Sequence, residues 1–367
     1  ENLHLPLPRV NNLLGNNMLI FTNRTVSGTG TRRELGRAFT PYADALTWAA
    51  PQAVADGKWR LDRLTVDSDD TRATAALLEV FNSGRPVLLY LHGFNNTPQA
   101  CFQRCARLEA LYDVNVVGFS WPSEGALSDG SDLPAAPNPD PGNEELIGDI
   151  GGRFRGEDFV RARMALYQQA KNNAMGAVDS LARFLRLAAV ARLQANAQPF
   201  SLAAHSMGVH LLQYSLALDA TREALGSAFN IALVAGCARA SGHKDWVPLL
   251  RPKGRVFITY NQNDTTLAGA TVADGGQVKL GMAPGPERVR NGAVRYLCFS
   301  GATLDPGGHS YFAWDKLPKR SRKVFGRVFG SEPDLRDDEV PRKIYPAGCD
   351  PDGVTCYFAL QPDGPGI

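Results

Sequence analysis

What most constrains this chain is a series of short apolar runs separated by longer amphipathic ones. "MLIFTN" (18–23), "WRLDRLTVD" (59–67), "PVLLYL" (86–91) and "VNVVGFSW" (114–121) read as strands. "PFSLAA" (199–204), "FNIALVA" (229–235), "RVFITYN" (255–261) and "AVRYLCFS" (293–300) continue the series. Several are continuously apolar, the pattern of parallel strands covered on both faces. Between them, "PQACFQRCARLEALYD" (98–113) and the stretch from Phe159 to Gln194 carry helical periodicity and length. Such alternation predicts a single α/β domain: a mostly parallel eight-stranded sheet with helices on both faces.

Two segments interrupt the rhythm. Residues 126–152, "ALSDGSDLPAAPNPDPGNEELIGDIGG", are rich in Pro, Gly, Asp and Asn and join the fourth strand to the next helix. A loop of this length inside a compact domain is usually functional, so it reads as a lid-like insertion. The domain is expected to span 1–328, with residues 329–367 as a Pro- and Gly-rich extension packed on it. Within that tract Cys349 and Cys356 flank "DPDGVT", a turn signal, and an oxidising compartment would let them close a small hairpin. Cys101 and Cys105 read as small apolar side chains of a helix.

Charge excludes some partners. Thirty-nine Lys and Arg against 37 Asp and Glu give a net charge of +2, which makes no electrostatic case for nucleic acid or an anionic membrane. No apolar run approaches the ~18 residues of a membrane span. The first residues carry no basic segment followed by an apolar one, so the expectation is a soluble chain, cytoplasmic or exported with any signal removed. Neither a metal nor another cofactor is implied: no C-x-x-C or His/Asp/Glu spacing suggests a metal, and "DPDG" (350–353) reads as a turn. Oligomeric state is not encoded in any motif.

The chemistry centres on "PFSLAAHSMGVHLL": an apolar strand, a tight turn at Ser206, then an amphipathic helix. A nucleophilic serine needs this context, because a sharp strand-to-helix turn lifts its hydroxyl above the sheet and requires small residues two before and two after it. Ala204 and Gly208 fill those places, although the common pattern has glycine at the first. A serine merely capping a helix would look the same locally. Other features shift the balance. The strand "VLLYL" ends in His92-Gly93-Phe94-Asn95, and the loop after that strand supplies one oxyanion donor, the residue after the nucleophile the other. Those donors are the backbone N–H groups of Phe94 and Met207. An acid and a base follow in the required order: Asp264 in "NQNDTTL" and His309 in "GGHSYF", each beyond the carboxyl end of a strand. Asp305 and Asp245 are weaker alternatives for the acid.

Taken together, "YLHGFNNTP", "VVGFSWPSEG", "AAHSMG", "NQNDTTL" and "GGHSYF" resemble the bacterial α/β-hydrolase family catalogued as a domain of unknown function, DUF900, over roughly residues 15–325. The resemblance implies the α/β-hydrolase fold, with Ser206 as nucleophile, Asp264 as acid and His309 as base. The 126–152 insertion, "AGCAR" in place of an acidic segment and the tail after 330 depart from the family pattern.

These roles predict a serine carboxylic-ester hydrolase, esterase- or lipase-like, acting through an acyl-enzyme. An acyltransferase on the same triad and a non-catalytic binding protein on the same fold are the alternatives. The substrate is a small-molecule or lipid-like ester whose acyl and alcohol parts no motif names. His92, Gly93, Asn95, Trp121 and Tyr311 are expected around its pocket, with Ser123, Glu124 and Phe312 near them. His205 reads as a packed residue and His210 as an ordinary helix residue.

Overall fold

A computed structural model describes residues 18–40, 43–54, 58–125, 157–289, 292–332, 347–349 and 356–359; of these, 157–162, 347–349 and 356–359 are described by backbone alone. Chain order begins with β1 (Leu19–Thr22), β2 (Arg24–Ser27), β3 (Glu34–Phe39), β4 (Thr47–Ala53), β5 (Trp59–Thr65), α1 (Asp70–Phe81), β6 (Val87–Leu91), α2 (Pro98–Tyr112) and β7 (Asn115–Ser120). It continues with α3 (Glu157–Gly176), α4 (Val178–Gln194), β8 (Phe200–His205), α5 (Gly208–Ser215), α6 (Asp219–Leu225), β9 (Ile231–Val234) and α7 (His243–Trp246). β10 (Val256–Tyr260), α8 (Thr265–Ala273), β11 (Val294–Cys298), α9 (Lys319–Phe329), β12 (Ala347–Cys349) and β13 (Cys356–Ala359) complete it.

Local chemistry sets the helix starts. Asp69 accepts from the Arg72 N–H to cap α1. Thr97 accepts from the Ala100 N–H to cap α2, which opens on Pro98, where a missing N–H costs nothing. The single helical stretch expected from Phe159 to Gln194 is two helices, broken after Gly176, a residue that adds backbone freedom in place of a side chain to pack.

All eight expected strands form, but the main sheet holds eleven among the described residues, in the order β12-β13-β11-β10-β9-β8-β6-β7-β1-β4-β5. The count of eight is therefore corrected by β4, β12 and β13. β4 is hidden in the sequence by Pro51. That proline is tolerated because β1 pairs with β4 only along Thr47–Ala49, so at Pro51 the strand bonds to β5 alone. β13 pairs parallel to β11, and β12 antiparallel to β13 places Cys349 and Cys356 directly opposite each other in register. The turn between them and the 126–152 insertion lie outside the described residues.

From β7 through β6, β8, β9 and β10 to β11 every neighbour is parallel. The chain leaves β6 toward β7 and then returns past it to β8. Right-handed crossovers put α2 on one face and α3 to α6 on the other. The reversal opens a crevice beyond the carboxyl ends of β6 and β8, where open α/β sheets bind ligands.

Candidate active site

β8 runs directly into Ser206, whose φ of 51° is a strained left-handed conformation at a sharp strand-to-helix turn, and α5 begins two residues later. The turn is pinned on both sides: Ser206 N–H donates to the Val234 carbonyl (3.0 Å), and the Ser206 carbonyl accepts from Cys237 N–H (2.9 Å). A Cβ on Gly208 would stand 2.6 Å from the Leu91 carbonyl oxygen and 2.7 Å from that of His92, so only glycine fits there. Ala204 instead lies inside β8, paired with Leu91 and Leu233, and its methyl causes no backbone strain.

Across the crevice, Gly93 backs onto Ser206. Asn95 takes φ 58° and its N–H donates to the Ser123 carbonyl (2.8 Å), so the β6 loop turns sharply after Phe94. With the amides of Asn95 and Ser206 committed, those of Phe94 and Met207 have no backbone acceptor among the described residues.

Asp264 follows β10 and caps α8. Its Oδ1 accepts from the Leu267 N–H (2.8 Å) and its Oδ2 accepts from His309 Nδ1–H (2.7 Å). Both ionisable partners are buried. Burial pushes the Asp264 carboxyl above its ordinary range, opposed by the attraction of His309. The His309 loop is built to hold the imidazole. Thr265 donates through both its N–H and its hydroxyl to the Gly307 carbonyl, Asn261 Nδ2–H donates to the Gly308 carbonyl, and Gly308 takes φ 63°. Asp305 Oδ2 accepts from the His309 and Ser310 N–H groups, so this alternative acid shapes the loop and does not meet the imidazole. Asp245 is exposed on α7.

Ser206 and His309 line one small cavity with Phe94, whose free volume is about 10 Å³, room for about one water-sized molecule and far below the ~300–1,000 Å³ of drug-sized pockets. Tyr167, Cys237 and Thr266 complete its polar wall, and Leu267 and Ala270 its apolar one. A wider groove of about 590 Å³ along α1 and α4 contains neither Ser206 nor His309, and its Arg183 and Arg186 are taken up by Asp70.

Most of the expected pocket residues do other work, which corrects the sequence reading. Trp121 is fully buried and stacked on His92 at 5.5 Å; its indole N–H donates to the His92 carbonyl (3.0 Å). Because Trp121 N–H donates to His92 Nε2 (3.0 Å), the His92 proton sits on Nδ1, facing the Gly93 carbonyl (3.0 Å). His92 thus braces the loop from behind. Tyr311 points into the core, its hydroxyl 2.7 Å from Thr259 Oγ1 and its ring stacked on Phe299. Asn95 acts through its backbone. None of the five lines the cavity shared by Ser206 and His309, and Gly93 backs onto Ser206.

The sequence reading also missed several residues. Arg24 is completely buried, pairs with both carboxylate oxygens of Glu124 (2.8 and 2.9 Å), and donates to the Asn96 and Trp121 carbonyls. It ties the loops after β6 and β7 together, and nothing in a lone arginine a hundred positions from its partner signals this. His205, read from the sequence as a packed residue, is one: its ring lies 4.7 Å from that of His309 and 4.7 Å from that of Phe312. Tyr167, from α3, meets Phe94 edge-on at 5.9 Å, with its hydroxyl 3.2 Å from Cys237 Sγ. Only its helical periodicity was visible.

No described group of three or more His, Cys, Asp or Glu side chains is arranged to hold a metal, and no described helix is long and apolar enough to cross a membrane. Compared with known proteins, the chain matches no curated protein and no solved structure. A sequence model of one family, described as alpha/beta hydrolase of unknown function (DUF900), matches residues 70–288. That segment runs from α1 through the Ser206 turn and Asp264 and stops before His309. The chain therefore belongs to the DUF900 family of alpha/beta hydrolases and has the α/β-hydrolase fold.

Proposed function

We propose that the chain is a serine hydrolase of small carboxylic esters, working through an acyl-enzyme. The observation that carries this reading is the 2.7 Å bond from His309 Nδ1 to the buried Asp264, on an imidazole that shares a cavity with Ser206. Holding the proton on Nδ1 leaves the Nε2 lone pair to act as base. His309 takes the Ser206 proton as the hydroxyl attacks the ester carbonyl carbon, and Asp264 stabilises the imidazolium that forms. The oxyanion is received by the N–H groups of Phe94 and Met207, donors of a kind typically worth ~3–4 kcal/mol of transition-state stabilisation each. His309 then protonates the leaving alcohol, and water activated by the same imidazole releases the acid. The small cavity favours short acyl chains.

The test is turnover of an activated short-chain ester, with Ser206→Ala and His309→Ala each expected to lose ~10⁴-fold or more. Wild-type protein is expected to be labelled at Ser206 by a fluorophosphonate. Undiminished turnover in either variant would end this reading.

A further inference from the structure

The first turn of α8 places three consecutive chemical groups with different tasks. Asp264 holds His309, Thr265 holds the loop that carries His309, and Thr266 faces the cavity. Thr266 is 4 % exposed, and its Oγ1 has no hydrogen-bond partner among the described residues. The other polar atoms of that wall are engaged: Tyr167 Oη lies 3.2 Å from Cys237 Sγ and donates to Asp274 Oδ2 (3.4 Å). Burying a hydroxyl without a partner costs free energy, and valine would fill the same space without that cost. A polar group that enters the cavity would give this hydroxyl a partner.

We infer that Thr266 Oγ1 hydrogen-bonds a hydroxyl or oxo group carried within two carbons of the scissile carbonyl, so that the preferred substrates are esters of short hydroxy- or oxo-acids. This rests on the serine-hydrolase reading of the same site. The cavity takes the acyl part because the alcohol must leave and water must arrive between the two half-reactions, whereas the acyl group stays attached to Ser206. Its free volume of about 10 Å³ leaves room only for a short chain, and its walls must give to admit one. A polar site rejects an isostere lacking the bonding group more strongly than an apolar site rejects an added hydroxyl, because its own buried hydroxyl is then left unpaired.

The experiment compares two isosteric pairs on the intact protein: ethyl 2-hydroxypropanoate against ethyl 2-methylpropanoate, and ethyl 3-hydroxybutanoate against ethyl 3-methylbutanoate. Wild type is expected to prefer the hydroxy member of at least one pair by about 10-fold or more in kcat/KM. Thr266→Val should bring that ratio to about 2 or less, and Thr266→Ser should restore it. Fluorophosphonate labelling at Ser206 in Thr266→Val, at whatever rate, shows that the variant is folded with a working nucleophile. Equal rates within both pairs in wild type, or a preference that survives Thr266→Val, overturns the inference while Ser206 still labels. Unlabelled Ser206 with no turnover of any of the four esters brings down the hydrolase reading and this inference with it.

Discussion

Gly93 stands so close to Ser206 that a Cβ on it would lie 2.7 Å from the serine Cβ and 3.2 Å from its Oγ. The φ of Gly93 lies outside the left-handed region, so the need for glycine is one of space and not of conformation. Gly93→Ala should therefore push the β6 loop away from Ser206 and displace the Phe94 amide. On the proposed mechanism, kcat for a short ester falls by ~10²–10³-fold, the usual loss when one oxyanion donor is removed, with KM changed little. An equal rise in KM at constant kcat would show that the glycine serves binding instead.

Asp264→Asn separates catalysis from stability. The asparagine carbonyl keeps the cap on Leu267, but its amide donates toward His309 Nδ1 and drives the imidazole proton to Nε2, where no base remains. A kcat loss of ~10⁴-fold is expected. Stability moves the other way. Because burial raises the Asp264 carboxyl above its ordinary 3.8, the folded protein holds that proton more tightly than the unfolded chain. The associated stabilisation is complete below 3.8 and is lost as pH rises through the folded value. Asp264→Asn should thus melt no lower than wild type at pH 7, with the difference between them shifting in favour of the variant from pH 4 upward. Paired thermal melts across pH 4–8 check this.

The eight principal strands were legible because two-sided burial writes itself as continuous apolar runs. The candidate triad positions were legible because each follows the end of such a run. β4 was not, since Pro51 erases the strand signal and its tolerance depends on where β1 stops pairing. The pocket was not legible either. "FSWPSEG" looks like a loop beside a substrate, yet Trp121, Ser123 and Glu124 bond to His92, Asn96 and Arg24. Whether a loop residue faces a cavity or a neighbouring loop is decided by partners far away in the chain, here an arginine on β2. Thr266 sits in a motif singled out for Asp264, but its orientation into the cavity is a property of the turn.

The Arg24–Glu124 pair should behave as a latch between the two loops. Both side chains are completely buried, so removing one leaves the other as an uncompensated charge. Arg24→Met or Glu124→Leu alone is expected to cost ~3–5 kcal/mol in denaturant unfolding, and the double variant markedly less than the sum. Any residual ester turnover in the double variant should fall with the order of the β6 loop. A double-mutant cycle that proves additive would show that the two charges do not act on each other.

His210 sets an acid limit. It is buried on α5 against Tyr214, with neither ring nitrogen partnered among the described residues. Burial first, then Lys279 and Lys171 with a smaller push from Arg239, lowers its pKa from 6.5 to about 3; Asp274 opposes them. The imidazole is therefore neutral in the folded protein, while the unfolded chain takes up a proton as pH drops below 6.5. The stability that depends on this group is present above 6.5 and is lost on the way down to about 3. His210→Leu keeps an apolar side chain in the stack without a titrating group. Wild type should lose stability relative to this variant by ~1 kcal/mol for each pH unit below 6.5, measured by urea unfolding at pH 7, 6, 5 and 4. Parallel pH profiles for the two proteins would assign the acid sensitivity to other groups.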